Sequence, residues 1–425
     1  MFDTAAIDQL AKALKEPPGI TDLRRKALAR HTELPWPHPS DDVWRRIDVS
    51  LLDPSQGFSP TPPSLLPSVQ LTDAQLALFT KPLGDEQLLA RINGHWLREP
   101  VVPGIAVSER IPQAVLEASG LTEAEEKLAS LNTAFHDDDV SLEVSARTSL
   151  AQPLRLVRLI AVAPQQAIFP LTAIRVGEGS SVTIIDEYVS AGTVPMGTVP
   201  HLVNGRIELI LEENASVRYV RLQRWDQQAR EFVLQRATLA AGASLTLANI
   251  SLGASVSKTH VITRLAGETA CAKLYGFVFG QGVQHIDQHT LQDHQAPHTE
   301  SDLQYRAALQ DQSHMVYTGL IRIAPTAQQT NAYQANHNLM LSQRARAETI
   351  PMLEILADDV QCKHGASTGP IDDEQAFYLM SRGVPREAAQ RLIVMGFIEP
   401  IMQQIPFAPL RERLRQEIEG NLQHG

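Results

Sequence analysis

A chain of 425 residues with 43% hydrophobic content is long enough for two or three domains and a large core. Its net charge is −11, and Lys and Arg are scattered. Nucleic acid is therefore a poor partner, because phosphates call for a clustered basic stripe. The two cysteines, Cys271 and Cys362, cannot form a disulfide scaffold and point to a reducing cytoplasm. No apolar run nears the roughly 20 residues of a membrane helix. Met1-Phe2-Asp3-Thr4 lacks the basic-then-apolar pattern of a secretory signal.

The chain opens with helical spacing at Ile7, Leu10 and Leu14. Thr21 is placed to cap a second helix through Leu23, Ala27 and Leu28. Residues 53–67 are rich in proline and serine and read as a linker. Residues 1–87 thus form an N-terminal helical region with a proline-rich linker. A later helical patch over 122–135 carries Leu128, Leu131 and Phe135 on one face, and Thr122 and Glu125 have capping-box spacing.

From 88 to 369 the pattern becomes strand-like, with Val, Ile, Leu and Thr alternating with polar residues between small turns. A loose repeat runs through Gly179-Ser180-Ser181-Val182, Asn214-Ala215-Ser216-Val217 and Gly242-Ala243-Ser244-Leu245. Gly267-Glu268-Thr269-Ala270-Cys271 continues it with one residue added. Each unit places a turn residue before a small-small-apolar strand start. Repeats of this length suggest a solenoid whose stacked coils bury one another. The low aromatic content fits a narrow interior of Val, Ile, Leu, Ala and Thr. On pattern alone a β-sandwich competes equally.

Residues 370–425 return to helical spacing. Asp372 or Asp373 can cap a helix through Ala376, Phe377, Leu379 and Met380, and Gly383 is suited to end it. Pro385 fits the first turn of the next helix, and 408–422 forms a last one. These helices read as a compact appendage on the end of the solenoid. Phe377, Tyr378 and Leu379 are more consecutive apolar bulk than one helix face buries. They serve either packing or docking.

Cys362 and His364 lie two apart in a strand-like run, so they share a face. A thiolate and an imidazole suit iron or another soft to borderline metal, but two ligands need a partner to complete the site. The plain alternative is a small buried thiol and a turn-bonded histidine. His285, His289, His294 and His298 form a second cluster, more in keeping with polar strand and turn residues than with a metal site. Cys271 reads as a core thiol. The chain has no GxxxxGK[ST], GxSxG or HExxH, and Gly177-x-Gly179 lacks a third glycine at dinucleotide spacing. No catalytic or cofactor-binding residues are expected.

Within 351–397 the pieces Leu353-Glu354-Ile355, Ala357-Asp358-Asp359-Val360, Cys362-x-His364-Gly365-Ala366, Asp373-Glu374-Gln375, Phe377-Tyr378-Leu379 and Ser381-Arg382-Gly383 stand at fixed spacing. They resemble the C-terminal signature of the SufB/SufD family, the scaffold subunits of bacterial iron–sulfur cluster assembly. The likeness extends more diffusely through the middle of the chain and to Trp44-Arg45-Arg46-Ile47-Asp48. Gly365 and Ala366 after the histidine resemble the SufD side of the family.

The resemblance implies a right-handed parallel β-helix core flanked by N- and C-terminal helical domains. It implies a non-catalytic scaffold that pairs with a SufB-like subunit at the end of its β-helix. His364, and less securely Cys362, would lie at that interface, where a transient iron–sulfur cluster is built. A SufC-like ATPase would dock on the C-terminal helices through Phe377, Tyr378, Leu379 and Arg382. It implies no tightly bound cofactor in the isolated chain and leaves a homodimer open there. The rival readings are a secreted-type β-helix acting on polysaccharide and a flavin-dependent reductase. The first lacks a signal and aromatic platforms, and the second lacks a dinucleotide fingerprint.

Overall fold

The computed structural model describes residues 2–60, 76–77, 81–97, 101–116, 120–161, 164–190 and 199–423. Residues 61–67 of the proline-rich stretch therefore lie outside the described residues. The chain is 44% β and winds a parallel β-solenoid of about seven turns, with helices at both ends. Successive strands from Leu154–Ile160 onward join two sheets almost alternately, so each coil contributes one strand to each sheet. The repeat seen in the sequence is the register of the second sheet. Ser181, Ser216, Ser244 and Cys271 are direct cross-strand neighbours. The same column continues through Glu300, Asn331 and Gln361, where no turn motif marks it in the sequence.

Side chains alternate across each strand, and the inward ones stack in columns. Val217, Leu245 and Ala272 form one inward column, and Tyr219, Leu247, Leu274 and Leu303 another. These side chains belong to the main apolar core between the sheets. The expected interior of Val, Ile, Leu, Ala and Thr fills one side of the lumen and is incomplete on the other. There Arg158 lies against Asp138 and Asp186, while Tyr219 donates to Asp186 over 2.8 Å. Arg221 pairs with Glu231, which also accepts from Trp225 Nε1 over 2.7 Å and from Ser257 Oγ over 2.9 Å. Buried charges persist when each is paired and hydrogen-bonded, and this ladder meets much of that demand.

Both sheets are also covered on their outer faces. The helices Thr4–Ala13, Pro18–Glu33 and Glu123–Phe135 lie over the first sheet, where Leu10, Leu28, Leu128 and Phe135 share a core with Phe169, Leu202 and Phe232. The second helix begins at Pro18 behind Pro17, so Thr21 lies inside it and caps nothing. Proline is pre-shaped for a first turn, and that preference sets the start. Thr122 and Glu125 do form a capping box. Trp44 is buried in this layer, stacked on Phe232 at 5.9 Å.

The helices Arg386–Met402 and Ala408–Gln423 lie over the second sheet, not on the end of the solenoid as expected. Ile398, Ile401, Leu410 and Leu414 pack on Val220, Leu222, Ile250 and Phe277. The reason is in the strands. Their outward residues are apolar too, as in parallel sheets generally, and each face needs a cover.

A buried ionic hub fastens this cover. Glu187, on strand Ser181–Ser190, bonds Arg155 at 2.8 Å, Arg224 at 3.2 Å and Arg413 of the last helix at 2.5 Å. Burial pushes its pKa up, but Arg413, Arg155 and Arg224 outweigh burial and hold it at about 2. The depressed pKa means that its stabilisation is complete above the ordinary value of 4.5 and is lost as pH falls toward 2. Glu187→Gln should destabilise the chain by about 3 kcal/mol at pH 7, since it leaves buried arginines uncompensated. Urea unfolding should show that deficit shrinking below pH 4.5. An equal deficit at pH 7 and at low pH would show that Glu187 stabilises by shape rather than charge.

Candidate functional site

The two coils before the end are well packed, but the last one is bare. Strand Asn331–Met340 has six buried residues, whereas Arg346–Ile355 and Gln361–Pro370 have none. These two strands are the outer members of their sheets, and among the described residues no strand pairs with their far edges. A parallel edge of this length offers a full row of backbone donors and acceptors, which proteins ordinarily cover or block. The chain ends its solenoid with an uncapped coil, although solenoids need polar caps to stay single.

Cys362 and His364 lie on that coil and occupy neighbouring inward positions. Cys362 follows Ala332 in the column of Val217 and Leu245, and His364 follows Gln334 in the column of Tyr219 and Leu247. The shared face inferred from their spacing is therefore the lumen face. Because nothing among the described residues stacks on the last coil, these lumen positions open to the outside. His364 is exposed, while Cys362 is half-buried against a small cluster that includes Ile323, Ala332 and Val360. Burial raises the Cys362 thiol pKa above 9.0. A polar relay reaches the same coil. Thr349 donates to Asn336 over 2.7 Å, and the Asn338 amide donates to Thr349 over 3.0 Å and to Thr368 over 3.2 Å. These asparagines and threonines had no sequence signal, because only stacking brings them together.

Two residues past that strand, the chain turns into helix Asp373–Ser381. Asp372 caps it by accepting from Glu374 and Gln375, and Gly383 closes it at φ +89°. No residue of this helix is buried. Phe377 is 71% exposed and Tyr378 58%, so packing does not explain them. Arg382 stacks on the Tyr378 ring at 5.3 Å, and Leu379 is half-buried. The structure thus brings Phe377, Tyr378 and Arg382 onto one exposed helix beside the bare coil.

The four-histidine segment does not converge. His285 faces His314, with ring centres 4.7 Å apart. His294 is bonded to Thr299 and Ser301, and His298 is exposed near Glu268. His289 pairs instead with His260 of the preceding coil. Cys271 opens a strand as expected but sits half-buried in an outward column, not in the core. Burial, then the neighbouring Glu300, raises its thiol pKa.

The fold and site define a parallel β-solenoid whose open end presents a thiol and an imidazole next to an exposed apolar helix. The family model for the SufBD core domain, described as SUF system FeS cluster assembly, matches residues 159–397. An iron–sulfur cluster assembly SufBD family protein of Synechocystis is 27% identical over 96% of this chain and 94% of its own length. One from Staphylococcus epidermidis is 24% identical over 98% and 93%. Another from Mycobacterium leprae is 35% identical over 51% of this chain and 57% of its own. The chain belongs to the SufBD family of iron–sulfur cluster assembly proteins. Among the described residues no helix is long and apolar enough to cross a membrane.

The half-buried thiols predict slow chemistry. Iodoacetamide labelling of Cys362, followed by mass spectrometry, should be slow at pH 7 and rise steeply only above pH 9, because the raised pKa withholds the thiolate. Rapid labelling at pH 7 would mean that the last coil leaves the sulfur open and activated.

Proposed function

We propose that this chain is a non-catalytic scaffold subunit for iron–sulfur cluster assembly, on the SufD side of its family. A SufB-like subunit would stack on the open end of the solenoid and a SufC-like ATPase would dock on helix Asp373–Ser381. The observation that carries this reading is the uncovered last coil holding Cys362 and His364. A second strand edge laid against it would satisfy the open row of backbone groups and bury both side chains between the subunits. The cluster is cargo. His364 would offer a nitrogen and Cys362 a sulfur, and the partner would complete the coordination.

The reading also has a mechanical logic. The docking helix follows strand Gln361–Pro370 almost directly, whereas the later helices are fixed to the outer face of the second sheet. Movement of a bound ATPase would therefore act first on the strand that carries the ligands. It would bias the scaffold between a closed and an open interface, a shift of populations. In the isolated chain the same bare edge favours a homodimer.

His364→Ala removes the exposed imidazole without adding bulk. The variant should still assemble with both partners but lose most of the cluster absorbance and iron on reconstitution. Normal cluster yield would make His364 structural and remove the site from this end. For the ATPase, Phe377→Ala with Tyr378→Ala should weaken binding by more than about 30-fold, the effect of losing a central aromatic anchor worth about 2 kcal/mol. Calorimetry measures it, and unchanged affinity would move the contact elsewhere. The two substitutions are preferable to deleting the C-terminal helices, which would strip the cover from the second sheet.

A further inference from the structure

Beneath the N-terminal helical layer lies a group of side chains that iron–sulfur scaffolding does not use. Glu125 comes from the first turn of helix Glu123–Phe135, His260 from strand Val256–Leu265, and His289 from the adjacent strand His285–His294. One potential ligand atom from each lies within 4.8 Å of the others, and all three residues are buried. His260 Nδ1 stands 3.2 Å from Glu125 Oε1, a separation that two ligands of one ion also show. Nε2 of His260 and both ring nitrogens of His289 have no hydrogen-bond partner. Buried polar groups in native proteins are seldom left so, and an ion or a water is the ordinary explanation.

The donor set discriminates further. Two imidazoles and a carboxylate are the ligands of zinc and of non-haem iron(II). The neighbouring cation Lys258 is already matched, bonded to Asp287 at 2.7 Å and to the Val43 carbonyl at 2.6 Å. Donor atoms no more than 4.8 Å apart close around 2.1 Å bonds with a shift of at most roughly 0.7 Å per ligand. Trp44, with its ring 4.9 Å from His260, seals the site from the N-terminal side.

We propose that Glu125, His260 and His289 bind one divalent ion of the zinc or iron(II) class, with water as the remaining ligand. The ion ties the start of helix Glu123–Phe135 to two consecutive coils. Its role is structural, and it is separate from Cys362 and His364.

The test uses the full chain purified from cultures supplemented with Zn2+, or anaerobically with Fe2+, then passed through chelator and desalted for metal analysis. One ion per chain should survive in one of the two arms, which identifies the metal. His260→Gln and His289→Gln should each lose it and unfold at a temperature several degrees lower, while His364→Ala should keep it. If the glutamine variants fail to fold, anomalous scattering from crystals of the unaltered chain should place the ion between the three side chains. An unaltered chain free of metal in both arms overturns the proposal and leaves water as the partner of the orphaned nitrogens. So does an ion kept by His289→Gln but lost from His364→Ala.

Discussion

The structure depends on stacked parallel coils that must be covered on three surfaces. Each inner strand is paired on both edges, and its inward residues fill the lumen. Its outward residues are apolar as well, so each sheet needs a second layer outside. The N-terminal helices supply that layer for the first sheet and the C-terminal helices for the second. The remaining demand is at the ends, where a coil has one neighbour instead of two. At the C-terminal end that demand goes unmet among the described residues, and the most distinctive side chains of the sequence are found there.

Much of this was legible in the sequence where the signal is local. The repeated turn motif marks a true register column through Ser181, Ser216, Ser244 and Cys271. Thr122 and Glu125 form the capping box that their spacing suggests, and Asp372 and Gly383 bound their helix. The two-residue spacing of Cys362 and His364 correctly gives a common face. Nonlocal features were hidden. The C-terminal helices cover the second sheet instead of the solenoid end, because periodicity says which helix face is apolar, not which surface it meets. The charged side of the lumen was missed because Arg158, Asp186, Arg221 and Glu231 become neighbours only after coiling. His260 is a lone histidine in the sequence, and it joins His289 and Glu125 only through cross-strand register and a helix laid over both strands.

The solenoid also explains how a rigid body can serve a changing interface. Its interior is held by stacked columns and a paired charge ladder, and its outer layers by separate cores and the Glu187 hub. The last coil and helix Asp373–Ser381 lack such support. Local opening follows low burial, so motion is concentrated at the end that carries Cys362 and His364.

The central claim is that the bare coil is an interface. Hydrogen–deuterium exchange tests it directly, comparing the chain alone with its complex with a SufB-like subunit. Backbone amides of residues 346–370 should exchange fast in the chain alone and become strongly protected in the complex, with little change over 201–309. Unchanged exchange at 346–370 in a stable complex would contradict the account, because the partner would then be seated elsewhere and the open end would remain open.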